Sequence, residues 1–214
     1  MKFFKGLITA ATMTMALVMA TAANAAEYKE GVHYKVLENP SIPRDASKIE
    51  VVEIFWYGCP HCYHLEPAVE AWKKSIQADV DFYQMPAQFS RKWKIHAELF
   101  YVTQALKVKD KVHGKIFDAI HKDRNWLLDT DDQKEFLAQY GVSEADFDKH
   151  HDSFGVRRQM KMADQRIRQY QISGVPAVIV NGKYFVDASS AGGQNKIFWV
   201  VNHLIEKERQ AMKK

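Results

Sequence analysis

Cys59-Pro60-His61-Cys62 holds the only two cysteines in the 214-residue chain. Two thiols at this spacing can exchange a disulfide with another protein, form an inert staple, or supply half of a metal site. A staple across four residues constrains the unfolded chain little. A zinc site needs two more ligands; His61 or His64 could be drawn in, but no second pair follows at finger spacing, and His150-His151 offers no ligand pattern. Redox exchange is the reading the spacing favours. Its chemistry needs a thiolate, and a cysteine at a helix N-terminus meets unpaired amides and the positive end of the helix dipole. The dipole is worth about 0.3–1 kcal/mol, under one pKa unit, so His61 and local hydrogen bonds must contribute as well. Cys59 is then the exposed nucleophile and leaving group, and Cys62, one turn deeper, the shielded resolving thiol.

The flanking sequence predicts that position. Lys48 to Trp56 is rich in β-branched and aromatic residues and reads as a central strand buried on both faces, with Glu50 and Glu53 as the exceptions. Beyond Pro60, which suits a first helical turn, Leu65, Val69, Trp72 and Ile76 mark one face of a helix ending near Gln77. Pro67 lies inside it and predicts a kink near Tyr63 to Pro67. Val80 to Met85 supplies the next strand, and Tyr34 to Leu37 a short one upstream.

From Ser90 to Ile172 the pattern is helical alone. Ile95, Leu99, Val102 and Leu106 mark one helix, and Val112, Ile116, Phe117 and Ile120 a second. Thr130 with Gln133 has the form of a capping box, Gly141 that of a left-handed C-terminus, and Ser143 with Asp146 that of another start. A long helix over 153–170 follows, with Phe154, Met160, Ala163, Ile167 and Tyr170 roughly on one side and its methionines read as core filler. Strands return at 177–180 and 183–186 around Asn181-Gly182, a hairpin signal, before a last amphipathic helix through Ile197, Val200, Val201, Leu204 and Ile205. The order predicts one α/β domain interrupted by a helical insertion.

Residues 1–25 join a basic start at Lys2 and Lys5 to an apolar run and the small-residue site Ala23-Asn24-Ala25, the form of a cleaved secretory signal. Without them, and so without two lysines and no acid, the formal charge falls from +4 to +2. Hydrophobic residues make up 47% and charged ones 26%, an ordinary globular balance. The basic runs near Arg91 and Arg157 alternate with apolar residues at helical spacing and read as solvated faces, which argues against a nucleic-acid binder.

Glu53, Phe55-Trp56-Tyr57-Gly58-Cys59-Pro60-His61-Cys62-Tyr63, Gly174-Val175-Pro176-Ala177 and Asn181-Gly182-Lys183-Tyr184 together resemble the DsbA family of periplasmic thiol:disulfide oxidoreductases. The resemblance implies a thioredoxin fold over 26–88 and 172–214, with a helical insertion domain at 89–171. It implies a periplasmic oxidase of newly secreted proteins that uses no metal and no cofactor beyond the Cys59–Cys62 disulfide. Pro60 and His61 then tune the pair, Val175-Pro176 forms a cis-proline loop that binds substrate, and a quinone-linked membrane oxidase of the DsbB kind reoxidises the protein, expected to be a monomer. The rival functions are a reductase or isomerase, and a non-catalytic chaperone or metal carrier. One departure stands out. The family often pairs its buried acid with a lysine on the following strand, but Phe82-Tyr83-Gln84-Met85 has none. Glu53 is therefore either a proton relay for Cys62, with its pKa raised by burial, or a buried acid satisfied by neighbours or water.

Overall fold

The computed structural model describes residues 28–213, so the secretory-signal reading of residues 1–25 lies outside the described residues. Five strands form one mixed sheet: β1 (Lys35–Val36), β2 (Ile49–Phe55), β3 (Val80–Pro86), β4 (Ala177–Val180) and β5 (Tyr184–Val186), in the spatial order β1-β5-β4-β2-β3. Every residue of β2 is buried, as its composition predicts, because β3 flanks it on one side in parallel register and β4 on the other in antiparallel register.

Helix α1 (Pro60–Lys73) links β2 to β3, the crossover that parallel neighbours require, and ends four residues before the expected Gln77. Its Leu65, Val69 and Trp72 pack with Ile197, Val200, Val201 and Leu204 of the C-terminal helix against Val51, Val178 and Val180 on one sheet face. Five helices lie between β3 and β4: α2 (Arg91–Ala105), α3 (Lys109–His121), α4 (Thr130–Ala138), α5 (Glu144–His150) and α6 (Phe154–Gln169). Their core, with Phe100, Phe117, Ile120, Leu137, Phe147 and Ile167, is continuous with Val52, Ile54 and Ile179 on the opposite sheet face. After β5 come the short α7 (Ala188–Ala191) and the C-terminal α8 (Ile197–Met212).

Two local expectations need correction. Asp129, not Thr130, caps α4, accepting from the Asp132 amide, while Gln133 is buried and donates to the Leu127 carbonyl. A carboxylate one residue upstream outcompetes the threonine hydroxyl for the free amides. Phe154 is 75% exposed, off the apolar side of α6 on which the spacing put it. The hairpin is as predicted: Asn181 and Gly182 have φ of 51° and 64°, and the Lys183 amide donates to the Val180 carbonyl. A side chain at Gly182 would strike the Ser41 backbone, so this turn also needs glycine for close packing.

Candidate active site

Cys59 is the N-cap residue of α1, at φ −89° and ψ 117°, and at 8% exposed it is buried, not the exposed nucleophile the sequence predicts, because the Val175 loop lies over it; Cys62 is deeper at 1%, and Pro60 and His61 are exposed. The loop before it is tightly held. The Cys59 amide donates to the Trp56 carbonyl at 3.0 Å, and the Tyr63 amide to the Cys59 carbonyl at 3.0 Å. His121 of α3 meets the Tyr57 carbonyl at 2.8 Å, and the Gln194 side chain donates to the His61 carbonyl at 2.5 Å. Gly58 packs on the Trp56 indole so closely that a Cβ would overlap it, and Trp56 stacks on Trp93 of α2 with centroids 4.3 Å apart.

Both cysteines are free thiols, and their surroundings push them apart. Cys59 is lowered to about 6, first by the Cys62 S–H that donates to its sulfur, then by the Cys62 and His61 amides and the His61 charge, against a cost of burial. Cys62 is pushed far up by burial, by its bond to Cys59, and by the charges of Cys59 and Glu53. One thiol is thus a stable anion near neutral pH, and the other holds its proton.

Val175-Pro176 is the cis peptide bond among the described residues. The Val175 carbonyl lies 3.7 Å from Cys59 Sγ, so this loop faces the nucleophile across the end of the sheet. A groove of about 610 Å³ runs beside it, lined by Leu37, His61, Gly174, Val175, Pro176 and Phe185 among others.

The two acids of β2 point to opposite sheet faces and meet opposite fates. Glu50 Oε1 pairs with Arg166 of α6 at 2.6 Å, and its Oε2 accepts from the Tyr83 hydroxyl and the Arg44 amide, both at 3.0 Å. Glu53 has no such cation. Its register partner in β3 is Gln84, whose Nε2 donates to Glu53 Oε2 at 3.0 Å. Burial, and then the charge of Glu66, raise Glu53 to about 8, with the Gln84 bond opposing. Gln84 thus occupies the β3 position opposite Glu53, and the charge of Glu53 is also among the causes of the raised Cys62 thiol.

Two neighbours of Glu53 were not legible as functional. Glu66, one turn beyond Cys62 on α1, is 8% exposed, and its Oε2 is buried without a hydrogen-bond partner. His113 of α3 is 4% exposed, its Nδ1 2.7 Å from the Tyr57 hydroxyl and its Nε2 2.9 Å from Gln84 Nε2 and 3.5 Å from Glu66 Oε1. In sequence, His113 sits just off the apolar stripe of Val112, Ile116 and Ile120 and carries no motif. Among the described residues no cluster of His, Cys, Asp and Glu could hold a metal ion.

Comparison with known proteins places the whole chain. A family model described as a DSBA-like thioredoxin domain matches residues 82–194, which lie after the cysteine pair. The thiol:disulfide interchange protein DsbA of Azotobacter vinelandii is 44% identical over 211 residues, covering 98% of this chain and 99% of that protein. The protein of the same name from Pseudomonas aeruginosa PAO1 is 40% identical over 210 residues, 98% of this chain and 100% of that one. The crystal structure of Pseudomonas aeruginosa DsbA aligns at a TM-score of 0.83 and 41% identity, over 87% of this chain and 97% of that one.

Proposed function

The chain belongs to the DsbA family of thiol:disulfide interchange proteins, and from that premise we propose that it donates the Cys59–Cys62 disulfide to substrate proteins through a mixed disulfide at Cys59. It is a thiol:disulfide oxidoreductase with a thioredoxin fold and a helical insert. The single observation that carries the mechanism is the split between the two thiols: Cys59 lowered to about 6, Cys62 pushed far up.

A substrate thiolate attacks Cys59 Sγ, forming a new S–S bond as the Cys59–Cys62 bond breaks and its electron pair leaves on Cys62. Cys62 sulfur takes a proton at once, because burial makes its anion costly. Glu53, raised to about 8, holds a proton at neutral pH and is the donor in this reading. A second substrate thiolate then attacks the substrate sulfur of the mixed disulfide and expels Cys59 as thiolate. That stable leaving group drives the exchange towards substrate oxidation.

The groove beside Val175 and Pro176 is the substrate channel in this reading, and the exposed His61 edges it. The thioredoxin unit comprises 26–88 and 172–214 and the insertion 89–171. Substrates are unfolded or partly folded secreted proteins, and a quinone-linked DsbB-type membrane oxidase restores the disulfide of a monomeric periplasmic protein. No helix among the described residues is long and apolar enough to cross a membrane.

The test is oxidation of a reduced, unfolded substrate by the purified disulfide form. Cys59→Ser is expected to abolish it; in Cys62→Ser the lone Cys59 thiolate is expected to attack a substrate that already carries a disulfide, expelling one substrate thiolate and leaving a mixed disulfide at Cys59 that gel shift and mass spectrometry detect. A chaperone would keep its activity in Cys59→Ser. Equilibration with glutathione checks direction: a potential close to thioredoxin's would sink the oxidant reading.

A further inference from the structure

Proton transfer at Cys62 needs an outlet, since Glu53 is 1% exposed and is left as an unpaired anion once it has given its proton. The structure supplies a cavity of about 560 Å³ between α1 and α3, walled by Glu66, Gln84 and His113 and reaching the surface at Glu70, Asp110 and Lys115. Three groups connect it to the cysteines. Glu66 lies close enough to Glu53 for its charge to be the second cause of the raised Glu53 pKa. One Glu66 oxygen is buried without a donor, a costly state for a carboxylate that a shared proton relieves. The other faces His113 Nε2 at 3.5 Å.

We propose that His113 is a positioning and proton-transfer residue of this site, carrying protons between the Glu53–Glu66 carboxyl pair and water in the cavity. It thereby takes over the role left open by Gln84, which occupies the β3 position where a lysine is absent. The inference rests on Glu53 exchanging its proton with Cys62. The geometry gives His113 the required two states. In one state the Gln84 amide donates both to Glu53 and to an unprotonated His113 Nε2, while Lys109 Nζ lies 3.5 Å from Gln84 Oε1. Protonation at Nε2 turns that hydrogen towards Glu66 Oε1, and rotation of the Gln84 amide lets its oxygen accept from both Nε2–H and a protonated Glu53. Nδ1 stays on the Tyr57 hydroxyl in both states.

The proton balance is simple. Glu53 gives its proton to the leaving Cys62 sulfur; His113 takes one at Nε2 from cavity water in exchange with solvent and passes it through the Glu66 carboxylate to Glu53, which leaves His113 and Glu66 as they began. Reoxidation runs the path backwards. The charged groups around His113 and Glu53 are Glu66, Glu70 and Lys73 from α1 and Lys109 and Asp110 from α3, with Tyr57 after β2. Cys62 of α1 is the thiol that takes the proton. Packing by Phe55, Phe100 and Phe117 around the imidazole leaves the cavity as its polar side.

Stopped-flow reduction of the full-length disulfide form by a small thiol, followed by tryptophan fluorescence across pH, tests this. His113→Gln, which keeps hydrogen bonding but cannot carry a proton, is expected to slow the reaction about tenfold or more, since positioned acid-base groups contribute roughly 10²–10⁴-fold. Free imidazole, small enough for the cavity, is expected to restore His113→Gln and not Glu53→Gln. A slow Glu53→Gln with a normal His113→Gln, or a slow His113→Gln that imidazole leaves unchanged, overturns the proposal while leaving the Glu53 reading standing. A normal Glu53→Gln overturns both. Should His113→Gln fold poorly, ¹⁵N shifts of His113 in the unaltered protein decide: Nε2 must be unprotonated at high pH and take up a proton as pH is lowered, and a signal invariant across pH overturns the proposal.

Discussion

Gln84 stands opposite Glu53 in adjacent parallel strands, its amide nitrogen 3.0 Å from the carboxylate. A neutral donor offsets only part of the burial cost, so Glu53 is raised to about 8. Gln84→Lys would set an ammonium against the carboxylate and is expected to bring the Glu53 titration down towards the ordinary range, read by ¹³C NMR of its carboxyl carbon. At neutral pH the proton donor for Cys62 would be lost, and reduction of the disulfide form slowed.

The raised pKa of Glu53 also has a stability sign. The unfolded group titrates near 4.5 and the folded one near 8, so the folded state holds the extra proton between them. Glu53 thus takes stability away progressively as pH rises from 4.5 to 8. Glu53→Gln is expected to stabilise the reduced protein in urea denaturation by a gain that grows across this window, to the order of a few kcal/mol at about 1.4 kcal/mol per unit.

Cys59 acts with the opposite sign. Its pKa falls from 9.0 to about 6 on folding, so the thiolate contributes stability above 9, and that contribution is lost as pH falls through 6. Thiolate absorbance at 240 nm is expected to half-titrate near pH 6 in the reduced protein and to vanish in Cys59→Ser. The reduced form should melt above the oxidised form at neutral pH, with the gap narrowing as pH falls from 9 to 6 and constant below that.

Arg166 is the cation for Glu50, which is fully buried. Arg166→Met would leave that carboxylate uncompensated and is expected to cost about 3–5 kcal/mol in urea denaturation. Adding Glu50→Gln should recover much of the loss, because the penalty is the lone charge and not the missing contact.

Gly58→Ala tests the loop beneath Cys59. The added methyl overlaps the Trp56 indole, so Trp56 must leave its stack on Trp93. The expected cost is about 1–3 kcal/mol, with a changed tryptophan fluorescence spectrum and slower substrate oxidation.

What the sequence could reveal was whatever is local. The run from Ile49 to Phe55 announced a buried strand, Pro60 the first turn of α1, and Asn181-Gly182 its hairpin, because each depends on residues within a few positions. The absence of a lysine beside Glu53 was legible only through the family resemblance, and the register that sets Gln84 opposite Glu53 agrees with it. His113 was not, because its meaning comes from α3 packing against α1 and β3 across the insertion boundary. Thr130 misled for a smaller reason: Asp129 offered the stronger acceptor next to it.

β2 carries two buried acids three residues apart, one fixed in an ion pair with the insertion and one free to change its charge. Because they project to opposite sides, the sheet acts as a partition. A redox turnover can charge and discharge the Glu53 side while the bond that fastens α6 stays untouched, so the protein can change its electrical state each cycle without loosening its joints.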